Sequence, residues 1–224
     1  MKHVAFTPSG RGLWPVLGVV LGLLLAGCSG EADKNSGPQW VSFPDQVKGI
    51  AVTAPRPLES FDLVDQEGKV FNKARVQGQW SLLFFGYTYC PDVCPTSLTL
   101  LAEMFDVMAE QNMADDYQGV FVSVDPKRDT VSLLKEYTAY FHPKIIGVTG
   151  QDKAIASVAG LMGALYYREP GRGDEDYLIS HSAKLHVINP AGQMVAALPS
   201  DKSPDELVAL FKTIKTMKIK DAKP

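Results

Sequence analysis

The 224-residue sequence has few cysteines and histidines, three and four respectively, and a net charge of only −3 at pH 7. It has no dense basic patch interleaved with aromatic residues, so nothing indicates a nucleic-acid partner. Its most apolar run, residues 13–28, is only about 15 residues long, short for a helix that spans a bilayer. The composition is that of a soluble globular protein, long enough for one domain of ordinary size with tails.

The N-terminus has the pattern of an export signal. Basic residues precede the apolar run, and the run ends in LAGC at Cys28, which resembles a bacterial lipobox. This predicts a signal peptide over residues 1–27 and a lipid on Cys28. An uncleaved anchor helix with an incidental cysteine is the alternative. Either form places the rest of the chain outside the cytoplasm. We expect a bacterial cell-membrane lipoprotein whose domain faces the periplasm.

The chain is predicted to divide into three parts after the signal peptide. Residues 28–57 are polar and small at first and rich in proline later, typical of a flexible linker and an extended lead-in. Residues 58–218 show regular periodicity and form the domain. Residues 219–224 are a tail. The alternating Lys residues just before this tail fit the solvated face of a last helix.

Within the domain, strands alternate with helices and end in an antiparallel pair. The predicted elements, in order, are a hairpin at 61–71, a buried strand at 80–89, a helix at 96–111, a strand at 119–125, a helix at 129–141, a strand at 144–150, a helix at 151–163, a strand at 164–168, a hairpin at 184–198 and a helix at 203–217. This order predicts an α/β fold: a thioredoxin-like mixed sheet flanked by helices, with an N-terminal β-hairpin.

Two cysteines four positions apart, Cys90 and Cys94, follow the buried strand at the point where a thioredoxin-like fold holds its reactive thiols. Their spacing favours one helical face, and a helix N-terminus lowers thiol pKa values. A disulfide over so short a loop would stabilise the fold little, which argues against a purely structural bridge. The pair can be a redox couple, or a soft ligand pair for Cu(I) or Zn(II).

A third ligand would come from a histidine, and three are candidates. His142 stands at the predicted end of a helix, where a capping role explains it. His186 lies inside a strand and fits sheet packing. His181 comes just before the penultimate strand, in a loop that faces the cysteine-bearing helix in a thioredoxin-like sheet.

Three stretches, FFGYTYCPDVCPTSL, VFVSVDPKRDT and YLISHSAKLHVINPAG, together resemble the Sco (SenC/PrrC) family over roughly residues 58–218. Members of that family bind copper and assemble cytochrome c oxidase. The resemblance implies that Cys90, Cys94 and His181 are copper ligands and that Cys90 and Cys94 can also form a redox disulfide. Family members often carry an acidic residue just before the histidine, and here that residue is Ser180.

The resemblance also implies partners. These are the copper-centre subunit of cytochrome c oxidase, a thiol reductant protein, and the membrane through the lipid anchor.

Two other functions remain open for this sequence: a thiol–disulfide oxidoreductase that reduces the oxidase's copper-ligand cysteines, and a redox or copper sensor. A peroxide-reducing redoxin fits poorly, because Tyr87 stands where that class sets Thr or Ser. Asp92 and the segment Asp125–Asp129 are explained by helix capping and local ion pairing, with contact to a partner also open.

Overall fold

An eight-stranded mixed sheet forms the centre of a computed structural model that describes residues 39–40, 44–113, 116–170 and 176–220. The strands are β1 (Gln39–Trp40), β2 (Ala51–Pro57), β3 (Asp62–Asp65), β4 (Val70–Asn72), β5 (Trp80–Gly86), β6 (Tyr117–Ser123), β7 (Ile145–Thr149), β8 (Tyr166–Arg168), β9 (Ile179–His181), β10 (Leu185–Ile188), β11 (Gln193–Leu198) and β12 (Ile219–Lys220). The helices are α1 (Lys73–Val76), α2 (Val93–Glu110), α3 (Val131–Phe141), α4 (Asp152–Met162) and α5 (Pro204–Thr216), with a 3₁₀ turn at Asp45–Val47. The order in the main sheet is β2-β11-β10-β5-β6-β7-β3-β4.

The parallel strands β5, β6 and β7 occupy the middle of this sheet. Nearly every residue of β5 and all of β6 are buried, as their continuous apolar runs predict. Helices α2 and α3 cover one face of these strands. Phe121 on β6 contacts the Tyr137 ring of α3, and a Cβ at Gly119 would touch Phe105 of α2. The carboxyl end of β5 therefore meets α2, the predicted position of the cysteines.

The C-terminal hairpin and helix form where the sequence predicts them. β10 and β11 pair antiparallel, and the Asn189 side chain accepts hydrogen bonds from the backbone N–H groups of Ala191 and Gln193 in the turn. Helix α5 begins with a capping box, in which Ser203 and Glu206 each accept a hydrogen bond from the other's backbone N–H. The helix packs on α2 and so supports the helix that carries Cys94.

The edges of the main sheet differ from the sequence prediction. Residues 51–57, assigned to the extended lead-in, form β2 and pair with β11 at the edge of the sheet. Prolines at 55 and 57 hid this strand, although proline is tolerated on an edge because only one side of an edge strand needs donors. The predicted hairpin at 61–71 is present as β3 and β4, at the opposite edge beside β7.

Two short strand pairs lie outside the main sheet. β8, inside the strand predicted at 164–168, pairs antiparallel with β9, a strand that the sequence did not predict. β1 pairs with β12. In the part of the chain that the structure describes, no helix combines the length and apolar character that a membrane crossing needs. Cys28 and the predicted signal peptide lie outside the described residues.

Candidate metal centre

The side chains of Cys90, Cys94 and His181 meet at the carboxyl end of β5. Nε2 of His181 lies 3.2 Å from Sγ of Cys94 and 3.9 Å from Sγ of Cys90. The three donor atoms all lie within 4.8 Å of one another, close enough to bind one metal ion. Two soft sulfur ligands with an imidazole are a donor set suited to Cu(I) or Zn(II).

The junction between β5 and α2 positions the two thiols. Cys94 lies in the first turn of α2 and is fully buried, whereas Cys90 lies in the turn before the helix and is half-buried. The prediction that both cysteines share one helical face is therefore wrong, because α2 begins only at Val93. The turn between the strand and the helix brings the two sulfurs together instead.

The space for the Cys94 sulfur depends on a glycine. A Cβ atom at Gly86 would lie 2.6 Å from Sγ of Cys94 and 2.9 Å from Cε2 of Phe121, closer than real Cβ contacts come. The next residue, Tyr87, donates its backbone N–H to the same sulfur at 3.5 Å. The end of β5 therefore makes room for Cys94 and supplies a donor to its sulfur.

Burial controls the acidity of Cys94. Desolvation raises the pKa of this thiol well above its ordinary value, and the hydrogen bond from the Tyr87 N–H offsets only part of that effect. The predicted lowering of its pKa by the helix N-terminus is thus wrong for Cys94, because burial outweighs it. A metal ion that binds here must displace the thiol proton.

A short strand pair holds His181 over the thiols. His181 ends β9 and lies opposite Tyr166 of β8. The sequence prediction placed His181 in a loop, whereas the structure gives it a strand partner. The phenol of Tyr87 accepts a hydrogen bond from the backbone N–H of Ile179 at 3.1 Å, which ties β9 to the end of β5. The histidine and the cysteines therefore share one support.

The His181 ring presents Nε2 to the sulfurs. Its Nδ1 lies 3.3 Å from the backbone carbonyl of Ser182, which can only accept, so Nδ1 carries the proton and Nε2 offers a lone pair. The rings of Phe84 and Tyr87 meet the imidazole edge-on and limit its rotation. Burial lowers the pKa of His181, which favours the neutral form that metal ions require.

A buried carboxylate supports the turn before Cys90. Asp129 accepts hydrogen bonds from the N–H of Thr88 at 3.0 Å, the hydroxyl of Thr88 at 2.6 Å and the hydroxyl of Ser123 at 2.6 Å. The sequence offers Asp129 and Thr130 as alternative N-caps of the helix that follows, and the structure shows that Thr130 caps α3, which leaves Asp129 to support the turn. The clue in the sequence was an acid soon after a buried strand, at the edge of the sheet that carries the cysteines.

The remaining sequence candidates lie away from the thiols or at their margin. His142 caps the end of α3 and accepts a hydrogen bond from the Lys144 N–H through Nδ1. His186 is buried in β10, and its ring meets Phe85. Asp92 is exposed at the N-cap of α2 and forms no side-chain capping bond. The three histidine candidates are thus separated by the fold, and the structure brings His181 alone among them to the cysteines.

Ser180, directly before His181, is joined to a carboxylate. Its hydroxyl donates to Oε1 of Glu169 at 2.7 Å. Glu169 follows β8, and its backbone N–H bonds to the carbonyl of Leu178. A carboxylate therefore reaches this position from the neighbouring strand, through Ser180.

This chain is similar to known proteins over about two thirds of its length. A SCO2-like protein of Rickettsia felis is 39% identical over 153 residues, which cover 68% of this chain and 74% of the relative. The solved structure of Arabidopsis thaliana ScoI with copper bound superposes with a TM-score of 0.63 at 35% identity, over 70% of this chain and 95% of that structure. Bradyrhizobium japonicum ScoI with copper bound gives a TM-score of 0.63 at 34% identity, over 70% and 99%.

The likeness extends through the whole described domain rather than the cysteine motif alone. These neighbours share the mixed sheet flanked by helices, which confirms the predicted thioredoxin-like fold class. The model of the SCO1/SenC family matches residues 53–216, from β2 to the end of α5. The predicted family is therefore confirmed, and the chain belongs to the SCO1/SenC family.

Proposed function

We propose that this protein binds copper through Cys90, Cys94 and His181 and delivers it to the dinuclear copper centre of cytochrome c oxidase during assembly. The observation that carries the proposal is the spacing of the three donor atoms, all within 4.8 Å of one another, in a family whose solved members include copper-bound structures. Two thiolates favour copper in its soft Cu(I) state.

Delivery requires that the ligands be reachable. Cys90 is only half-buried, and His181 lines an open cleft with the exposed side chains of Leu165 and Tyr167. A copper-centre subunit that approaches this cleft can exchange its own ligands for those of the carrier one at a time. The carrier is recovered unchanged, so the process is transfer of cargo and turns over no substrate.

Exchange with a disulfide of another protein, which takes up two electrons and two protons and becomes a dithiol, would oxidise Cys90 and Cys94 to a disulfide and remove both sulfur ligands. A thiol reductant protein would return the two electrons and two protons and restore the carrier. We further propose that a lipid on Cys28 holds the domain at the bacterial cell membrane, on the periplasmic side, where the oxidase subunit presents its copper centre.

The test is copper binding by the full-length chain, purified in detergent, reduced and loaded with Cu(I) without oxygen. We expect one copper per chain in the native protein and none in Cys90→Ser/Cys94→Ser. His181→Ala should bind copper at least tenfold more weakly. Loss of a residue that only orients a metal ligand already costs about that much affinity. His142→Gln is the matched control and should bind like the native protein. Equal binding by His181→Ala would contradict the proposed ligand set.

A second function is favoured by one observation, the unequal burial of the two thiols. Cys90 is half-buried and Cys94 is fully buried. The more accessible thiol, Cys90, can attack a disulfide of a client, and Cys94 can then resolve the mixed disulfide. A thiol–disulfide oxidoreductase would reduce the copper-ligand cysteines of the oxidase with Cys90 and Cys94 and would not need His181. Reduction of a disulfide peptide at equal rates by the native protein and by His181→Ala would support it.

A further inference from the structure

Arg128 lies among three tyrosine rings beside the thiols. Its guanidinium carbon is 3.6 Å from the ring centroid of Tyr177, 4.9 Å from that of Tyr89 and 5.6 Å from that of Tyr87. All three distances are within the range of cation–π attraction. Its side chain is only 13% exposed, so water screens these contacts little.

The same side chain is also held by hydrogen bonds. Nε of Arg128 donates to Oδ2 of Asp125 at 2.5 Å, and a terminal nitrogen donates to the backbone carbonyl of Tyr177 at 3.1 Å. The phenol of Tyr177 donates to the other oxygen of Asp125 at 2.6 Å. Arg128, Asp125 and Tyr177 therefore form one closed set of charge-assisted contacts.

These contacts join the two segments that supply the donor atoms. Tyr89 directly precedes Cys90, and Tyr177 lies two residues before β9, the strand that ends at His181. Tyr87 touches the His181 ring. In sequence the cysteine turn and β9 are far apart, since His181 follows Cys94 at a separation of 87. Arg128 is a side chain outside the donor set that contacts both segments.

We propose that Arg128 is a positioning residue that sets the distance between Cys90 and His181. This inference rests on the proposed function, because copper binding is what the distance serves. Arg128 acts on the donor atoms through Tyr89 and Tyr177. Without the contacts of Arg128, the cysteine turn and β9 can move apart. Fewer conformations of the protein then hold all three donor atoms close enough to bind one ion.

The chemistry requires arginine rather than any cation. A planar guanidinium stacks on aromatic faces and offers several donors in fixed directions, whereas a lysine ammonium is a point charge on a flexible stem. Arg128→Lys keeps a positive charge near Asp125, which is itself buried at 3% exposure. That substitution avoids a buried, unpaired carboxylate, so the protein should fold.

The experiment compares Arg128→Lys with Arg75→Lys in the full-length chain in detergent. Arg75 is the matched control, because it also pairs with a buried carboxylate, Asp65 at 3.2 Å, and lies over an aromatic ring, Phe71 at 5.6 Å. It contacts neither the cysteine turn nor β9 in the described part of the chain. Two quantities are measured: Cu(I) affinity by competition with a chromophoric chelator, and amide hydrogen exchange in the reduced, metal-free protein.

We expect Arg128→Lys to lower Cu(I) affinity by about tenfold or more, as changes to residues that orient metal ligands do. Amide exchange should become faster in both segments 87–92 and 176–182. Arg75→Lys should change neither quantity. Native affinity in Arg128→Lys, or an equal loss in Arg75→Lys, would overturn the proposal. If the native chain holds no copper, the proposed function fails, and unchanged exchange in Arg128→Lys then overturns the positioning role independently.

Discussion

Sγ of Cys94 and Nε2 of His181 lie 3.2 Å apart, although 87 positions separate the two residues along the chain. The contact exists because β9 is tied to the end of β5 through the Tyr87 phenol, and because Gly86 leaves room for the sulfur. The candidate metal centre thus depends on the end of β5 and on the small strand pair beside it.

Gly86→Ala should destabilise the protein and weaken copper binding together. The added Cβ would come 2.6 Å from Sγ of Cys94, so the sulfur or the strand must move. Overpacking of this kind costs about 1–3 kcal/mol of the free energy of unfolding. Denaturation in urea and Cu(I) competition measure the two effects.

Gly160→Ala provides the control for that substitution. Gly160 is exposed within α4, and a Cβ there meets nothing within 4 Å. Alanine in a helix interior should stabilise the protein by about 0.5–1 kcal/mol and leave copper binding unchanged. A Gly86→Ala protein with native stability and native copper affinity would show that the sulfur does not need this space.

Asp129→Asn should weaken the support of the cysteine turn. The carboxylate accepts three hydrogen bonds from Thr88 and Ser123, and an amide that replaces it has one acceptor and one donor group. We expect a loss of about 1–3 kcal/mol in the free energy of unfolding. Copper affinity should fall as well, because the turn that carries Cys90 loses its anchor.

Asp65→Asn is the control that separates an effect on the cysteine turn from a general loss of stability. Asp65 is also buried and accepts hydrogen bonds from the N–H groups of Glu67 and Lys69, but it ends β3 and supports the β3–β4 turn. It should cost comparable stability without any change in copper affinity. If the two variants lose copper affinity equally, Asp129 has no particular role at the metal centre.

His186 should make the protein less stable in mild acid. Burial lowers its pKa from 6.5 to about 4, and neither ring nitrogen has a hydrogen-bond partner among the described residues. The unfolded chain therefore binds the proton more readily between these two pH values. The contribution of His186 to the free energy of unfolding is fully present above pH 6.5. It decreases as the pH drops toward 4, by about 3 kcal/mol in total.

The variant His186→Phe tests that assignment. A phenyl ring keeps the packing against Phe85 and removes the titratable nitrogens, so unfolding measured at several pH values should lose most of its dependence between pH 4 and 6.5. His142→Gln should retain most of that dependence. An unchanged pH profile in His186→Phe would assign the acid sensitivity to other groups.

The sequence predicted the centre of the fold better than its edges. The runs at β5 and β6 are continuously apolar because both faces of a central strand are covered, and that signal is local. β2 was missed because its prolines mimic a linker, and β9 because three residues carry no readable period. β2 forms because it pairs with β11, and β9 forms because it pairs with β8. Such pairing exists only in the folded chain.

The site was predictable to a similar extent. The spacing and position of Cys90 and Cys94 indicate reactive thiols. His181 was favoured over His142 and His186 through the expected fold, in which its segment faces the cysteine-bearing helix, and through the family resemblance. The pKa of Cys94 was predicted in the wrong direction, because a helix N-terminus can be read from sequence whereas the burial that outweighs it cannot. The roles of Asp129 and Arg128 depend on contacts across tens of residues, which no local pattern reports.

The most direct measurement is X-ray absorption at the copper edge of the full-length protein, loaded with one equivalent of Cu(I) in the reduced state. A copper carrier of the proposed kind predicts a first coordination shell of two sulfur atoms and one imidazole nitrogen, with the nitrogen lost in His181→Ala. A shell of sulfur atoms alone in the native protein, unchanged in His181→Ala, would contradict the ligand set on which the proposed function depends.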